Sequence, residues 1–278
     1  MKRKVPLIFL DIVVFWYDEL YCRVRWDDAY SAWFRISAGV RQGGILSPDF
    51  YSVYIDDLMN ILTDLNVGCY IQEMFILALF YADDMALLSP SIKGLQKLLT
   101  ACERFCSDWD ICLNPKKSKS MYFGKRQSNL CKLKLSGSEI EWVEKWTYLG
   151  VVLHTGPKFN CCISEKIRKF YRACNGILRI EGRSNDMLIL QLIESHCIPI
   201  LAYGIETIVV ANQDTRRQLR VAYNSVFRRL FDYRSWQSVS QLQTFLGRPN
   251  WEDLVAKRTE KFLFKIRNDQ LFSSLFRS

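Results

Sequence analysis

Two adjacent carboxylates, Asp83 and Asp84, are the residues of this chain best suited to chemistry. They lie between two apolar segments, residues 75–80 and 85–88, a layout that predicts a β-hairpin with the acids at its tip. Two like charges about 4 Å apart repel by roughly 4 kcal/mol near a protein surface, and a divalent cation reverses the sign of that interaction. Because magnesium binds carboxylate oxygens and substrate phosphates together, the pair predicts metal-dependent nucleotide chemistry.

A glycine-rich loop, residues 39–48, reads Gly-Val-Arg-Gln-Gly-Gly-Ile-Leu-Ser-Pro. Backbone without side chains can pass close to a nucleotide or a template base, and Gln42 adds a hydrogen-bond donor and an acceptor. Apolar residues at helical spacing follow the loop and predict a helix of three to four turns. A glycine turn that simply leads into a helix is the alternative.

The composition is that of a folded basic protein. The chain has 278 residues, 49% hydrophobic content and 24% charged residues, which is ordinary for a globular protein. Its 38 basic and 29 acidic residues give a net charge of +9, which favours a polyanionic partner.

The ten cysteines form no CxxC pair, and no histidine lies at zinc-ligand spacing. They predict reduced thiols in the core, although Cys102 and Cys106 could also be considered as metal ligands four residues apart.

Helix and strand patterns are mixed up to about residue 155 and are mainly helical beyond residue 160, so the predicted fold class is α+β. Ser91 is the expected cap of a helix with an apolar stripe from Leu95 to Trp109. Strands are predicted at 120–123, 131–135, 140–143 and 146–153. Further helices are predicted at 163–180, 187–210, 214–231 and 251–266. We place a domain boundary at the turn 155–157.

The first apolar segment, residues 5–17, superficially resembles a signal peptide. Asp11 interrupts it and no small-residue cleavage site follows, so a buried helix or strand is the better interpretation. The apolar segment 198–210 is too short for a membrane span and contains Glu206. We therefore expect a nuclear or cytoplasmic protein that is not secreted, has no transmembrane segment and binds no membrane.

Four segments, in this order, resemble the reverse transcriptases of non-LTR (LINE-type) retrotransposons. Residues 39–48 resemble motif B, residues 80–84 the Tyr-x-Asp-Asp of motif C, residues 113–119 motif D, and residues 146–150 the primer-grip motif E. The resemblance runs over nearly the whole chain. A lone Tyr-x-Asp-Asp is weakly specific, whereas four ordered motifs at these separations are strong evidence.

The resemblance implies a right-hand polymerase. Residues 1–155 would form a partial palm, an antiparallel sheet with packed helices that includes the primer-grip strands. Residues 156–278 would form a mainly helical thumb and a C-terminal connector. The implied partners are an RNA template, a DNA primer, their RNA–DNA duplex and dNTPs, and two magnesium ions would assist attack of the primer 3′-hydroxyl on the α-phosphate.

The resemblance also implies roles for particular residues. Asp83 would bind catalytic magnesium and Asp84 would support the metal site. Positions beside the nucleotide, the template or the primer end are implied for Gln42, Gly43, Gly44, Tyr81 and Ala82.

By the Asn-x-x-Lys pattern of motif D, Lys117 would place positive charge near the triphosphate as pyrophosphate leaves. Its neighbours Lys116 and Lys119 are alternatives, and a solvated basic turn is another interpretation. The primer grip would comprise Trp146, Tyr148, Leu149 and Gly150, although an ordinary half-buried strand ending in glycine remains an alternative.

Basic residues recur between apolar positions of the C-terminal helices and suit a thumb that follows duplex phosphates. A solvated basic face is the simpler interpretation. The residues concerned are Lys166, Arg168, Lys169, Arg172, Arg216, Arg217, Arg220, Arg228 and Arg229.

The polymerases of this family need a further aspartate from motif A, on a strand beside the acidic hairpin. Asp11 is the sole candidate in a strand-like segment, yet residues 5–38 more closely resemble the family's segment between motifs A and B. Asp56 and Asp57 are expected to be a solvent-facing pair on the helix after the glycine loop. We therefore expect a truncated element that does not polymerise alone. A catalytically inactive nucleic-acid-binding remnant and a group II intron maturase-like reverse transcriptase are the rival interpretations.

Overall fold

The computed structural model describes residues 5–37, 39–125, 130–157, 160–179, 185–208 and 213–269. Within them the helices are α1 (Leu7–Asp18), α2 (Ser47–Asp64), α3 (Ile92–Asp108), α4 (Ser164–Leu178), α5 (Asp186–His196), α6 (Ile198–Ala202), α7 (Ile205–Ile208), α8 (Gln213–Leu230), α9 (Ser240–Phe245) and α10 (Trp251–Asn268). The strands are β1 (Tyr21–Cys22), β2 (Arg25–Trp26), β3 (Ala29–Tyr30), β4 (Phe34–Arg35), β5 (Cys69–Ile71), β6 (Met74–Ile76), β7 (Ala78–Tyr81), β8 (Asp84–Leu87), β9 (Lys119–Ser120), β10 (Leu133–Leu135), β11 (Ser138–Trp142), β12 (Lys145–Tyr148), β13 (Val151–His154) and β14 (Asn160–Cys161).

Helices and small sheets are mixed, in agreement with the predicted α+β class. The chain divides into two compact units. The first unit contains the residues up to Asn66 together with Leu77–Leu88, and the second contains Val67–Ile76 and the residues from Ser89 onward. The domains expected from function, 1–155 and 156–278, stay a prediction.

In the first unit, α1 is the helix that the segment 5–17 predicted, but the expectation that it is buried is wrong. None of its residues is buried, and Ile8 and Phe15 are 73% and 70% exposed. The last turn of α1 packs against α2, where the centres of the Tyr17 and Phe50 rings lie 5.9 Å apart. A contact of this kind places the end of α1 beside the start of α2.

Helix α2 follows the glycine loop and is longer than predicted. Its 18 residues make about five turns. It buries Ile55, Leu58 and Leu62, which lie on one face at helical spacing. Asp56 and Asp57 are exposed, as predicted.

In the second unit, α3 has the expected start and the expected buried face. The Ser91 hydroxyl accepts a hydrogen bond from the Gly94 amide at 3.0 Å, which satisfies an amide that the helix itself leaves free. Cys102 and Cys106 are buried on the stripe of α3. The helix packs on the sheet β10–β11–β9, in which β10 and β11 are antiparallel and β9 is parallel to β11.

Two predicted elements are interrupted by turns. The expected strand 146–153 is two antiparallel strands, β12 and β13, because Leu149 and Gly150 both have positive φ. The expected helix 187–210 is three helices, α5, α6 and α7. Pro199 lies in the first turn of α6, and Gly204 with φ of +63° separates α6 from α7.

The largest core belongs to the C-terminal helices. It is built from α4, α5, α6 and α8 and includes Phe170, Leu190, Tyr223 and Phe227, all at most 1% exposed. Trp251 closes the core, and the Tyr223 hydroxyl donates to the Pro249 carbonyl at 2.8 Å. The helical region therefore has an apolar core of its own.

All ten cysteines are free thiols, and five of them are buried. The prediction of core thiols is wrong for Cys112 and Cys131, which are exposed. Among the described helices, none combines the length and the apolar composition that crossing a membrane requires.

Candidate functional site

The two carboxylates lie at the exposed tip of an antiparallel hairpin, as predicted. In this acidic hairpin (β7, β8 and the turn 82–83), Tyr81 pairs with Asp84 and Phe80 with Met85. The base of the hairpin is buried at Ala78, whereas Tyr81 is 65% exposed and both aspartates are exposed. Local strand pairing thus presents two adjacent acids to solvent.

The turn of the acidic hairpin is under backbone strain. Ala82 has φ of +49°, a region that a residue with a Cβ adopts at a cost of about 1–2 kcal/mol. Strain of this kind is typical of functional sites, where other interactions hold the backbone in place. Within the described part of the chain, no ion pair neutralises Asp83 or Asp84.

The glycine loop is closed by hydrogen bonds to the Arg41 carbonyl. The Gly44 amide donates to it at 3.0 Å and the Ser47 hydroxyl at 2.6 Å. Gly43 has φ of +78°, and a Cβ on Gly44 would lie 2.6 Å from the Ser47 hydroxyl oxygen. Both positions therefore favour glycine, and the turn they form presents an exposed Gln42 in the same unit as the acidic hairpin.

The lysine turn belongs to the second unit, and Asn114 organises it. The Asn114 side-chain oxygen accepts from the amides of Lys116 and Lys117 at 3.1 and 3.2 Å. Both lysines are exposed. Lys119 differs, because its ammonium forms a 2.6 Å ion pair with Glu141 on the neighbouring strand.

The segment predicted as the primer grip is a tight hairpin, also in the second unit. This grip hairpin, residues 145–154, joins β12 and β13 through the two-residue turn Leu149–Gly150. Trp146 and Tyr148 alternate with Thr147 along β12 and so share one face of the strand. The Trp146 side chain is 38% exposed.

A basic groove runs along one side of α4. It has a volume of about 730 Å³, and its lining includes Arg168, Tyr171, Arg172, Asn175 and Arg179. The three arginines are exposed. Positive charge beside an aromatic ring and an amide suits the phosphates and bases of a nucleic acid.

Other basic residues of the C-terminal helices bind groups of the protein itself. Those for which the structure gives such a partner are Lys166 with the Tyr203 carbonyl, Lys169 with Glu165, Arg220 with Glu252, Arg228 with the Gln237 carbonyl and Arg229 with Asn175. Arg216 and Arg217 are exposed on α8. The groove arginines Arg168 and Arg172 are therefore the better placed of the nine for an external partner.

The acidic pair fits part of a magnesium ligand set. Magnesium prefers hard oxygen donors, and it commonly binds one or two carboxylates together with waters and substrate phosphates. Asp83 and Asp84 provide such carboxylates. Among the described residues, no group of three or more histidine, cysteine or acidic side chains could hold a metal ion. Asp11, the candidate for a third ligand, lies on helix α1, whereas motif A requires a strand.

The family model described as "Reverse transcriptase (RNA-dependent DNA polymerase)" matches residues 3–153, more than half of the chain. The chain belongs to the reverse transcriptase family. The matched residues include the glycine loop, the acidic hairpin, the lysine turn and the primer-grip segment up to Gly150.

The curated relatives come from mobile elements. The probable RNA-directed DNA polymerase from transposon BS of Drosophila melanogaster is 24% identical over 96% of this chain and 30% of its own length. The RNA-directed DNA polymerase from mobile element jockey of the same species is 23% identical over 95% of this chain and 30% of its own length. The Pol polyprotein from type-1 retrotransposable element R2 of Nasonia vitripennis is 27% identical over 56% of this chain and 16% of its own length.

These matches confirm the resemblance to LINE-type reverse transcriptases that the four ordered motifs predicted. The chain spans about a third of the length of the first two relatives.

Two residues of this reverse transcriptase chain were missed by sequence reasoning. Arg179 follows Arg168 and Arg172 at helical spacing, so the periodicity of α4 could have identified it. Tyr203 contacts the grip hairpin although 54 residues separate it from Leu149. No local pattern could have revealed that contact.

Proposed function

We propose that this chain carries the nucleotidyl-transfer site of a LINE-type reverse transcriptase, which adds dNTPs to a DNA primer on an RNA template. In this reaction the primer 3′-hydroxyl oxygen loses its proton to water and forms a bond to the α-phosphorus, and the bond from that phosphorus to pyrophosphate breaks. The observation that carries the proposal is the exposed acidic pair at the tip of a strained hairpin within the matched residues. Divalent ions, which this family generally uses, would activate the attacking oxygen and stabilise the leaving one.

The proposed roles follow from the charge of the acidic pair and from the shape of the glycine loop. Asp83 and Asp84 would hold magnesium against the triphosphate, with Tyr81 and Ala82 at the primer end. The glycine loop would lie against the nucleotide and the template, since Gln42 offers both hydrogen-bonding groups in a turn that has no side chain at Gly43 or Gly44.

Lys117 is the proposed motif D lysine, and the ion pair of its neighbour Lys119 supports this choice over Lys119. Lys119 forms an ion pair with Glu141 and so has less charge to offer a phosphate. The hydrogen bond from the Lys117 amide to Asn114 accounts for the asparagine of the motif, because it orders the turn that carries the lysine.

We further propose that residues 1–155 act as a partial palm and residues 156–278 as a thumb and connector. The primer-grip role of Trp146, Tyr148, Leu149 and Gly150 is supported by a turn in which two successive residues have positive φ. The thumb role is supported by the basic groove on α4.

The metal proposal is tested by replacing the acidic pair. Manganese serves as the probe, and its binding to the 278-residue chain in the presence of a dNTP is followed by electron paramagnetic resonance. We expect Asp83→Asn/Asp84→Asn to weaken manganese binding at least about tenfold, since the pair supplies the carboxylate ligands. The matched control Asp56→Asn/Asp57→Asn removes two adjacent exposed acids from α2. Equal binding by all three proteins would refute the proposal.

Polymerisation is tested separately. Because the described residues provide two of the three expected carboxylates, we expect the 278-residue chain to give no full-length product in primer extension on an RNA template with magnesium. Full-length product from this chain alone would overturn that expectation.

The basic groove favours a second function, duplex binding without catalysis. We expect Arg168→Ala/Arg172→Ala to weaken binding of an RNA–DNA duplex and to reduce the salt dependence by roughly two phosphate contacts. Lys257→Ala/Lys261→Ala makes the same charge change at the same spacing on α10, at exposed residues with no proposed role, and is the control. Duplex affinity that survives both magnesium removal and Asp83→Ala would favour this second function over a retained polymerase site.

A further inference from the structure

The turn of the grip hairpin is held in an unfavourable backbone conformation. Leu149 has φ of +45° and Gly150 has φ of +75°, and two-residue hairpin turns of this kind prefer asparagine or glycine at the first position. A leucine there costs about 1–2 kcal/mol relative to a residue without a Cβ. Other contacts must therefore hold the turn in place.

Tyr203 supplies those contacts. Its hydroxyl donates a hydrogen bond to the Leu149 carbonyl at 2.9 Å. Its ring lies directly over Gly150, where an added Cβ would be 3.1 Å from the ring carbon Cε1. One side chain thus contacts both residues of the turn.

Contacts with the helical core hold Tyr203 itself in place. The Tyr203 amide donates to the Pro199 carbonyl of α6 at 3.0 Å. The Lys166 ammonium of α4 donates to the Tyr203 carbonyl and lies 5.7 Å from the centre of the Tyr203 ring. Next in the chain, the backbone at Gly204 passes close to the grip hairpin, since a Cβ added there would lie 3.4 Å from the Val151 side chain.

Lys166 belongs to a charged cluster between α4, α7 and α10. Burial lowers the pKa of the Lys166 ammonium, the nearby Cys161 and Glu206 raise it, and Arg258 lowers it. Glu206 binds Arg258 in a 2.7 Å ion pair. The ion pair joins α7 to α10, close enough to the Lys166 ammonium of α4 to influence its pKa.

We propose that Tyr203 is a positioning residue that sets the grip turn, and that Lys166 transmits the position of the helical core to it. The inference rests on the proposed function, since it assigns the primer-grip role to the turn that Tyr203 holds. A primer strand that lies on this turn is then held in register with the helices that follow.

The contact is tested first without nucleic acid. Amide hydrogen exchange of residues 145–154 is measured in the wild type, in Tyr203→Phe and in a control, Tyr70→Phe, which alters an exposed tyrosine of β5. We expect faster exchange in Tyr203→Phe alone, because only that variant removes the hydroxyl bound to Leu149. Unchanged exchange would overturn the proposal.

The positioning role is tested with two RNA–DNA duplexes of equal length, one with a recessed primer 3′ end and one with blunt ends. We expect Tyr203→Phe to weaken binding of the recessed duplex by about 3- to 10-fold, the effect of losing one hydrogen bond, and to leave blunt-duplex binding unchanged. Lys166→Met should likewise weaken binding of the recessed duplex relative to binding of the blunt duplex.

The outcomes separate this inference from the proposed function. If the wild type does not distinguish the two duplexes, the primer-grip function fails whatever the exchange data show. If the wild type prefers the recessed end and Tyr203→Phe keeps that preference, the positioning role fails. An equal loss of affinity for both duplexes together with lower thermal stability would mean a purely structural role and would also overturn the proposal.

Discussion

Replacing Gly150 by alanine tests the geometry of the grip turn most directly. At φ of +75°, the left-handed backbone conformation destabilises the folded alanine variant by about 1–2 kcal/mol. A gain of about 0.4–1 kcal/mol offsets part of this loss, because alanine reduces the conformational entropy of the unfolded chain. The new Cβ would lie 3.1 Å from the Tyr203 ring. That ring cannot move away freely, since its hydroxyl is bound to Leu149. We therefore expect a net loss of about 1–2 kcal/mol.

Urea and thermal unfolding of the 278-residue chain measure this change. A loss of this size corresponds to a fall in Tm of roughly 2–8 °C. Gly176→Ala is the matched control, because Gly176 lies within α4 and its added Cβ would meet no atom within 4 Å. The control should gain about 0.5–1 kcal/mol, since alanine is the better helix former.

The two glycine variants should therefore shift stability in opposite directions. If Gly150→Ala is as stable as Gly176→Ala, the turn does not have the described backbone conformation and Tyr203 does not lie against it. Tyr203 would then have no positioning role at this turn.

Three further predictions concern single residues. In the folded protein at pH 8, iodoacetamide should modify exposed Cys112 and leave Cys102 intact. Burial of Cys102, followed by the nearby Cys106 and Glu103, raises its pKa to about 12, so its thiol stays protonated. Comparable labelling of the two cysteines by mass spectrometry would contradict this. Ala82→Gly should raise stability in urea by about 0.5–1 kcal/mol, since glycine relieves the positive φ at a smaller entropic cost, and an unchanged midpoint would show that the acidic turn is unstrained. Ser47→Ala should lower stability by about 1 kcal/mol through loss of the hydrogen bond to the Arg41 carbonyl, which the same urea titration would show; no loss would mean that the bond does not close the glycine loop.

Features that depend on a few neighbouring residues were predictable. The acidic hairpin follows from two apolar segments around a short polar turn, and the start of α3 follows from Ser91. The four ordered motifs were sufficient to recognise the family. Element lengths were less predictable, because α2 continues beyond the expected four turns and the strand at 146–153 is divided by the turn at Leu149.

Long-range contacts decided the rest. The ion pair with Glu141, 22 residues away, distinguishes Lys119 from Lys117. The sequence of the turn gives no sign of this difference between its lysines. The exposure of α1 depends on which elements pack against it, and its apolar composition suggested the opposite.

The amino-acid sequence by itself determined the chemistry of this reverse transcriptase chain: paired acids on a hairpin, a glycine loop, a lysine turn and a basic helical region. Turn and strand formation involve hydrogen bonds between residues close in the chain, so their signals are local. Only the tertiary structure decided that Lys119 is paired with Glu141 and that Tyr203 holds the grip turn. Those outcomes depend on contacts such as that of Tyr203 with Leu149, which packing of the helical core brings together across 54 residues.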